Sequence, residues 1–358
     1  MSQIVPETMR AAVYRSVNDV RVETIAVPEI GDGEVLVKIH TCGICGTDLK
    51  KIHTGSHDAP RVFGHEMAGT IVQVGAGVQG FVVGDRVMAY HHIPCGECYY
   101  CRKKTFAQCE VYKKVGCTAG FAPAGGGFAE YIRVMDWIVR RGLVKIPDDV
   151  PFEQAAFLEP VNTCYKAIQL LDLQADETVL VIGQGPIGIL LAALARRTGI
   201  TVLTSDLYAE RHAVAAKFGL DRPIDARSDV VAATKAATEG RGADVVLLAV
   251  GSDALIKIAM EAIRPGGRVM LFASTQHGEA SFDPAAVCMD EKTLMGSYSA
   301  SVAIQDDVTR MVFEGYRNGF DLTHLISHRF SLEDAVAAID LASHPQADSM
   351  KIVIQPKS

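Results

Sequence analysis

The 358-residue chain contains no run of about 18 or more apolar residues, so no segment reads as a membrane-spanning helix. Its opening, MSQIVPETMRAAVYR, lacks the apolar core of an export signal, and a cytoplasmic protein is expected. There is no long basic run, and the formal net charge is -7, which argues against a nucleic-acid partner because phosphate binding needs clustered Lys and Arg. Internal repeats and low-complexity tracts are also missing. The cysteines number nine, an odd count, and without an export signal they fit metal ligands plus spare thiols better than a disulfide framework. Cys42, Cys117, Cys164 and Cys288 are the spares, expected to pack as small apolar groups.

What is present is ordinary globular composition, 49% hydrophobic and 22% charged, in a chain long enough for about two domains. The first half carries short β-prone runs at 34–41, 70–75 and 85–92, separated by glycine turns, and predicts a β-rich module. Beyond Pro147 the texture changes. Apolar spacing from Phe152 to Leu171 is helical. Apolar strands at 178–183, 201–205, 243–250 and 267–273 then alternate with helix patterns near 186–198, 208–218 and 253–263. Such alternation predicts an α/β unit whose parallel sheet is covered on both faces. After about Leu294 it ends. Two helix patterns, 304–317 and 331–342, and the strand KIVIQP are too few for a further domain and are expected to return to the first. The expected division is 1–155 together with 295–358, and 156–294.

Gly183, Gly185, Pro186, Ile187 and Gly188 lie in a G-x-G-x-x-G turn between a strand and a helix, the context a dinucleotide site requires. The first glycine permits the tight turn, the second lets backbone approach a pyrophosphate, and the third lets helix pack on strand, while the helix N-terminus supplies N–H donors. Asp206 lies at the end of the next strand, where an acid can bond both ribose hydroxyls. A carboxylate facing a 2'-phosphate at about 4 Å would be repelled by roughly 4 kcal/mol, which favours NAD over NADP. Arg211 could instead receive such a phosphate, or could be a partner of Asp206.

Two sets of metal donors stand in the first third of the chain. Cys95, Cys98, Cys101 and Cys109, spaced C-x2-C-x2-C-x7-C, can close a tetrahedral thiolate site with no position left for substrate. Cys45, His65 and Glu66 offer mixed S, N and O donors from separate segments, a set that can keep one position open. The first is expected to be structural and the second catalytic. A His beside a Glu is also a common structural pair, and Cys42 with Cys45 makes a C-x-x-C that could be a redox pair or half of a thiolate site.

With these motifs go VGDRV at 83–87, GGGFAEY at 125–131, LEP at 158–160 and SDL at 205–207, alongside CGICGTD at 42–48 and GHE at 64–66. Taken in order, the sequence resembles the zinc-dependent medium-chain dehydrogenases, especially the sorbitol dehydrogenase-like polyol branch. The resemblance implies an α/β protein with a GroES-like, β-rich catalytic domain made from both chain ends, and a Rossmann NAD-binding domain with a doubly wound parallel sheet. It implies an active site in the cleft between them, one catalytic and one structural zinc per chain, and dimers or tetramers of the chain. By family matching Cys45 and His65 are catalytic zinc ligands, and Glu66 and Glu159 share the carboxylate role, one binding zinc and the other acting indirectly. Thr47 matches the hydroxyl that takes the substrate proton, Asp48 the carboxylate that orients His65, and Thr163 a nicotinamide contact. Lys50 stands where many relatives have a relay histidine, and a lysine is ordinarily a poor base at neutral pH. Ser299 falls where sorbitol dehydrogenases place a substrate-binding Arg.

The expected activity is therefore zinc-dependent oxidation, with NAD, of a secondary alcohol on a polyol, cyclitol or sugar. One alternative is a zinc-free, NADP-linked quinone or enone reductase, which has no use for these ligands. Another is a zinc-binding interaction protein without catalysis.

Overall fold

The computed structural model describes residues 5–356 other than 113, 124 and 274–277. Two compact units emerge, one formed by the chain up to Glu159 together with the segment from Ser301 onward, the other by Pro160–Ala300. Among the described residues no helix is long and apolar enough to cross a membrane.

The first unit is built on an eight-stranded sheet in which Ile326–Ser331, Lys351–Gln355, Val35–Gly43, Glu66–Val74, Arg86–Ala89 and Leu143–Lys145 lie side by side. Val35–Gly43 is its hub, and it also pairs with Tyr131–Val134. Valine, leucine and isoleucine fill four of the nine positions of this strand and it is buried along almost its whole length, so both its faces meet packed structure. The strand Lys351–Gln355 pairs antiparallel with it, setting Val353 opposite Gly43 and Ile354 opposite Cys42, so the last strand of the chain lies against residues from its beginning. A three-stranded sheet, Asp19–Ala26, Thr8–Ser16 and Arg61–Val62, completes the β structure of this unit. The run 85–92 was expected as one strand, but the strand ends at Ala89 and His91 and His92 lie beyond it.

The second unit holds six parallel strands in the order Pro223–Asp225, Thr201–Asp206, Thr178–Ile182, Ala243–Leu248, Ile263–Leu271 and Thr293–Gly296. Numbered along this unit the order is 3-2-1-4-5-6, the doubly wound arrangement, with its reversal beside Thr178–Ile182. Ala243–Leu248 is buried at every position, which explains why it is apolar throughout except for Asp244. Helix Pro186–Arg196 follows the first of these strands and has Gly185 as its N-cap. Cys42, Cys117 and Cys164 are fully buried, as expected of spare thiols, but Cys288 is exposed at the end of the helix Pro284–Cys288, none of whose residues is buried.

Candidate active site

Cys45 is the N-cap of the helix Gly46–Thr54, which begins directly after the hub strand. Thr47 and Asp48 occupy its first turn. Asp48 is wholly buried, and each of its oxygens is engaged: Oδ2 accepts the Cys45 N–H at 3.2 Å, while Oδ1 accepts the Gly64 N–H at 3.3 Å and lies 3.0 Å from His65 Nδ1. One carboxylate thus caps a helix and orients a histidine, which fixes the imidazole nitrogen left over for another partner. Burial works to raise the Asp48 carboxyl, yet the adjoining His65 outweighs it and holds the group below its ordinary value. For His65 burial disfavours the charge, but Asp48 and Cys45 prevail and lift the imidazole well above its usual range.

Gly64 makes the approach of His65 possible. Its φ is +93°, and a Cβ there would come within 2.6 Å of the Phe128 ring and 2.9 Å of Cys42 Sγ. Glu66 opens the next strand and is 1% exposed. Ligand atoms of Cys45, His65 and Glu66 all lie within 4.8 Å of one another, so a thiol, an imidazole and a carboxylate converge as one metal ion would require. Thr47 Oγ1, on an exposed residue, is 3.6 Å from Cys45 Sγ. Glu159 stands outside the trio. It is buried, and burial pushes its carboxyl up to about 7, opposed by His65 and reinforced by Glu66. Cys42 does not join Cys45: its thiol is buried among Gly64, Gly127 and Met67, and burial raises it well above the ordinary thiol value.

The four-Cys loop passes a stricter geometric test. Four sulfurs around an ion at about 2.3 Å would be roughly 3.8 Å apart. The observed Sγ separations are 3.8 Å for Cys95 and Cys101, 3.5 Å for Cys98 and Cys101, and 3.6 Å for Cys95 and Cys109. Backbone N–H groups of Cys98, Cys95 and Val111 point at Cys95 Sγ, Cys109 Sγ and Cys109 Sγ at 3.3, 3.3 and 3.4 Å, an arrangement suited to thiolates.

In the second unit the three glycines of the turn meet three different surroundings. Gly183 has φ +94°, and a Cβ on Gly188 would fall 1.7 Å from the Gly183 carbonyl oxygen, so the turn and the helix contact both demand glycine. At Gly185 a Cβ would meet nothing within 4 Å, leaving open space beside the helix N-terminus where a pyrophosphate could approach backbone. Pro186 and Ile187 form the first turn of that helix. Asp206 ends the neighbouring strand, with Oδ2 accepting the Gln184 N–H at 2.6 Å and Oδ1 the Tyr208 N–H at 3.0 Å. Arg211 Nη1 lies 3.5 Å from Asp206, and its guanidinium covers the Tyr208 ring at 4.9 Å. Thr163 bonds its own helix, donating to the Pro160 carbonyl at 2.9 Å.

Known proteins match along the whole chain. Residues 31–148 fit the family described as alcohol dehydrogenase GroES-like domain, and residues 186–314 fit the family described as zinc-binding dehydrogenase. An L-threonine 3-dehydrogenase of Pyrococcus furiosus is 36% identical over 69% of this chain and 70% of its own length. The chain belongs to the zinc-type medium-chain dehydrogenases. Its likeness to the polyol branch is carried by the sorbitol dehydrogenase of Bacillus subtilis, 29% identical over 99% of both chains. Among solved structures, a chain of Sinorhizobium meliloti 1021 described as a zinc-binding dehydrogenase and bound to NADP superposes with a TM-score of 0.86 at 29% identity, over 98% of this chain and 100% of its own.

Two features of this dehydrogenase escape motif reading. Lys351, 7% exposed at the start of the last strand, forms an ion pair with Glu66 Oε2 and donates to the Ile44 carbonyl at 3.1 Å. Gly43 allows the pair to form, since a Cβ there would lie 2.2 Å from Glu66 Oε2 and 2.8 Å from Lys351 Cε. The only local signal for Lys351 is a charged residue opening an otherwise apolar strand. His91 is the second, buried with its ring 4.5 Å from that of His65.

Proposed function

We propose that this dehydrogenase uses zinc and NAD to oxidise a secondary alcohol of a polyol, cyclitol or sugar to the ketone. The observation that carries the proposal is the convergence of Cys45, His65 and Glu66 with the Asp48 carboxylate behind His65. Cys45, His65 and a carboxylate from Glu66 or Glu159 would hold the catalytic ion, and Cys95, Cys98, Cys101 and Cys109 the structural one. A zinc ion at the first site supplies Lewis acidity, favouring loss of the alcohol proton and stabilising negative charge on oxygen as hydride departs.

The residues of the chain then divide the remaining work. Asp48 keeps the His65 imidazole aligned. Thr47 accepts the hydroxyl proton while passing its own on to solvent, and the hydrogen on the same carbon leaves as hydride to the nicotinamide. Gly183, Gly185, Pro186, Ile187 and Gly188 cradle the cofactor pyrophosphate, Asp206 bonds the adenosine ribose, and Thr163 contacts the nicotinamide. Preference for NAD is supported by the burial of the Asp206 carboxylate at the strand end and by its pairing with Arg211, which leaves that guanidinium less available to a 2'-phosphate. A dimer or tetramer is the proposed working form.

The test is an NAD-reduction screen over polyols, aldoses, inositols, amino alcohols and simple alcohols, run beside NADP and with metal analysis. We expect about two zinc ions per chain, turnover with a polyol-type secondary alcohol, and a lower KM for NAD than for NADP. Cys45→Ser and His65→Ala should abolish turnover without unfolding the chain, and retained turnover in either would refute the site. The 36% identity to an L-threonine 3-dehydrogenase supports a second reading, an amino-alcohol substrate, and activity confined to that class in the screen would establish it.

A further inference from the structure

Between the two proposed metal sites runs a continuous column of rings within the first unit. The His65 and His91 ring centroids are 4.5 Å apart with a 40° tilt, His91 and His92 are 3.7 Å apart at 53°, and His92 and Tyr112 are 4.7 Å apart at 38°. Tyr112, 3% exposed, packs in one cluster with Cys95, Cys98, Cys101 and Cys109. The first ring therefore belongs to the catalytic trio and the last to the thiolate lobe.

The segment carrying the two middle rings is held in place by its neighbours. Tyr90 N–H donates to the Gly142 carbonyl and Trp137 Nε1 to the Ile93 carbonyl, each at 2.9 Å. Gly116 packs so close that a Cβ there would lie 2.7 Å from the His91 carbonyl oxygen. His91 itself is 7% exposed, and its Nδ1 is buried with no hydrogen-bond partner among the described residues. Nδ1 therefore does not fix the ring, which is placed by packing against the His65 and His92 rings.

We propose that His91 is a positioning residue for the catalytic metal site, and that the His91–His92–Tyr112 column makes the orientation of His65 depend on the ordered four-Cys lobe. The proposal rests on the metal-site assignment above. Asp48 holds His65 through one hydrogen bond at Nδ1, and a single bond leaves rotation of the ring about that bond unopposed. His91 packs against the His65 ring, with the centroids 4.5 Å apart, and opposes that rotation. Motion of the lobe, on loss of its metal, would reach His65 through three ring contacts, since close-packed interiors transmit displacement.

The test uses the full chain with zinc in the four-Cys lobe and cobalt(II) exchanged into the open mixed-donor site. The readouts are the cobalt ligand-field absorption and the rate of cobalt loss to a chelator. His91→Phe, which keeps a ring, should leave the band in place and the release rate within about twofold, whereas His91→Ala should shift the band and speed release about tenfold, the lower end for loss of outer-shell support. Tyr112→Leu, two rings away and apolar, should move both readouts in the same direction while the lobe keeps its zinc, and it carries the test if His91→Ala does not fold. The proposal is overturned if His91→Ala or Tyr112→Leu, folded and fully loaded, matches the parent on both readouts. It is equally overturned if His91→Phe is as impaired as His91→Ala, because ring packing would then not be the cause. A parent chain that takes up cobalt only in the lobe defeats the metal-site assignment itself, an outcome visible before any variant is made.

Discussion

At the scale of single residues, the pairing of Lys351 with Glu66 is the most consequential contact outside the ligand motifs. Both side chains are almost completely buried, and burial that would strip charge from Lys351 is overcome by Glu66, which holds the ammonium above its ordinary value. Breaking a buried pair leaves an uncompensated charge, so Lys351→Met is expected to cost roughly 3–5 kcal/mol in urea unfolding, measured with chelator present so that no metal replaces the lysine. Adding Glu66→Gln should recover a good part of that loss, because both changes address one interaction. Strict additivity of the two single variants would show that the pair is not coupled. The proposed ligand residues were legible as candidates because thiols and imidazoles at set spacings are chemically distinctive. Lys351 was not, since its partner lies at the other end of the chain and only the pairing of Lys351–Gln355 with Val35–Gly43 brings them together. His91 was hidden differently, inside a run that reads as strand but bends away after Ala89.

Among the elements, the strand-turn-helix at Gly183–Gly188 is expected to separate folding from binding within six residues. Gly188→Ala would drive a methyl against the Gly183 carbonyl and should destabilise the second unit by about 1–3 kcal/mol as an overpacked contact. Gly185→Ala enters open space at φ -67°, a value any residue adopts, so its unfolding free energy should stay within about 0.5 kcal/mol of the parent. The same methyl would occupy the approach to the pyrophosphate, and NADH titration by fluorescence should show weakened binding for Gly185→Ala alone of the two in a form that melts normally. Normal NADH affinity in Gly185→Ala would remove the turn from the cofactor site. The strong central strands of this unit were readable because burial on both faces produces unbroken apolar runs. Pro223–Asp225 and Thr293–Gly296 were missed for the converse reason: they are short, lie at the two sheet edges, and contain only one buried residue between them, so neither alternation nor an apolar run marks them.

For the molecule as a whole, the question is what keeps the segment after Ser301 attached to the first unit. Buried Gln154 answers part of it, donating to the carbonyls of Val312 and Phe320 at 3.1 Å each and accepting the Leu322 N–H at 2.8 Å. Around it two bidentate ion pairs close the seam, Arg317 with Asp149 and Arg329 with Glu153, and Gln355 adds a bond to Glu153 at 2.7 Å. Periodicity gave the expectation that the late elements are too few to stand alone, but the contacts holding the segment depend on side-chain geometry that periodicity does not encode. The bond from Arg329 is the main reason the Glu153 carboxyl lies below its ordinary value of 4.5, burial opposing it. For a depressed carboxyl the stabilisation is fully present above the unfolded-state pKa and is lost as pH falls through the folded-state value. Melting temperature should therefore be insensitive to Glu153 titration from neutrality down to about pH 5 and fall below it as the carboxyl protonates. Glu153→Gln, which cannot ionise, should melt lower than the parent at neutral pH and approach it as acid removes the parent's advantage. Parallel melting curves for the two proteins across the acid range would mean that this ion pair does not secure the seam.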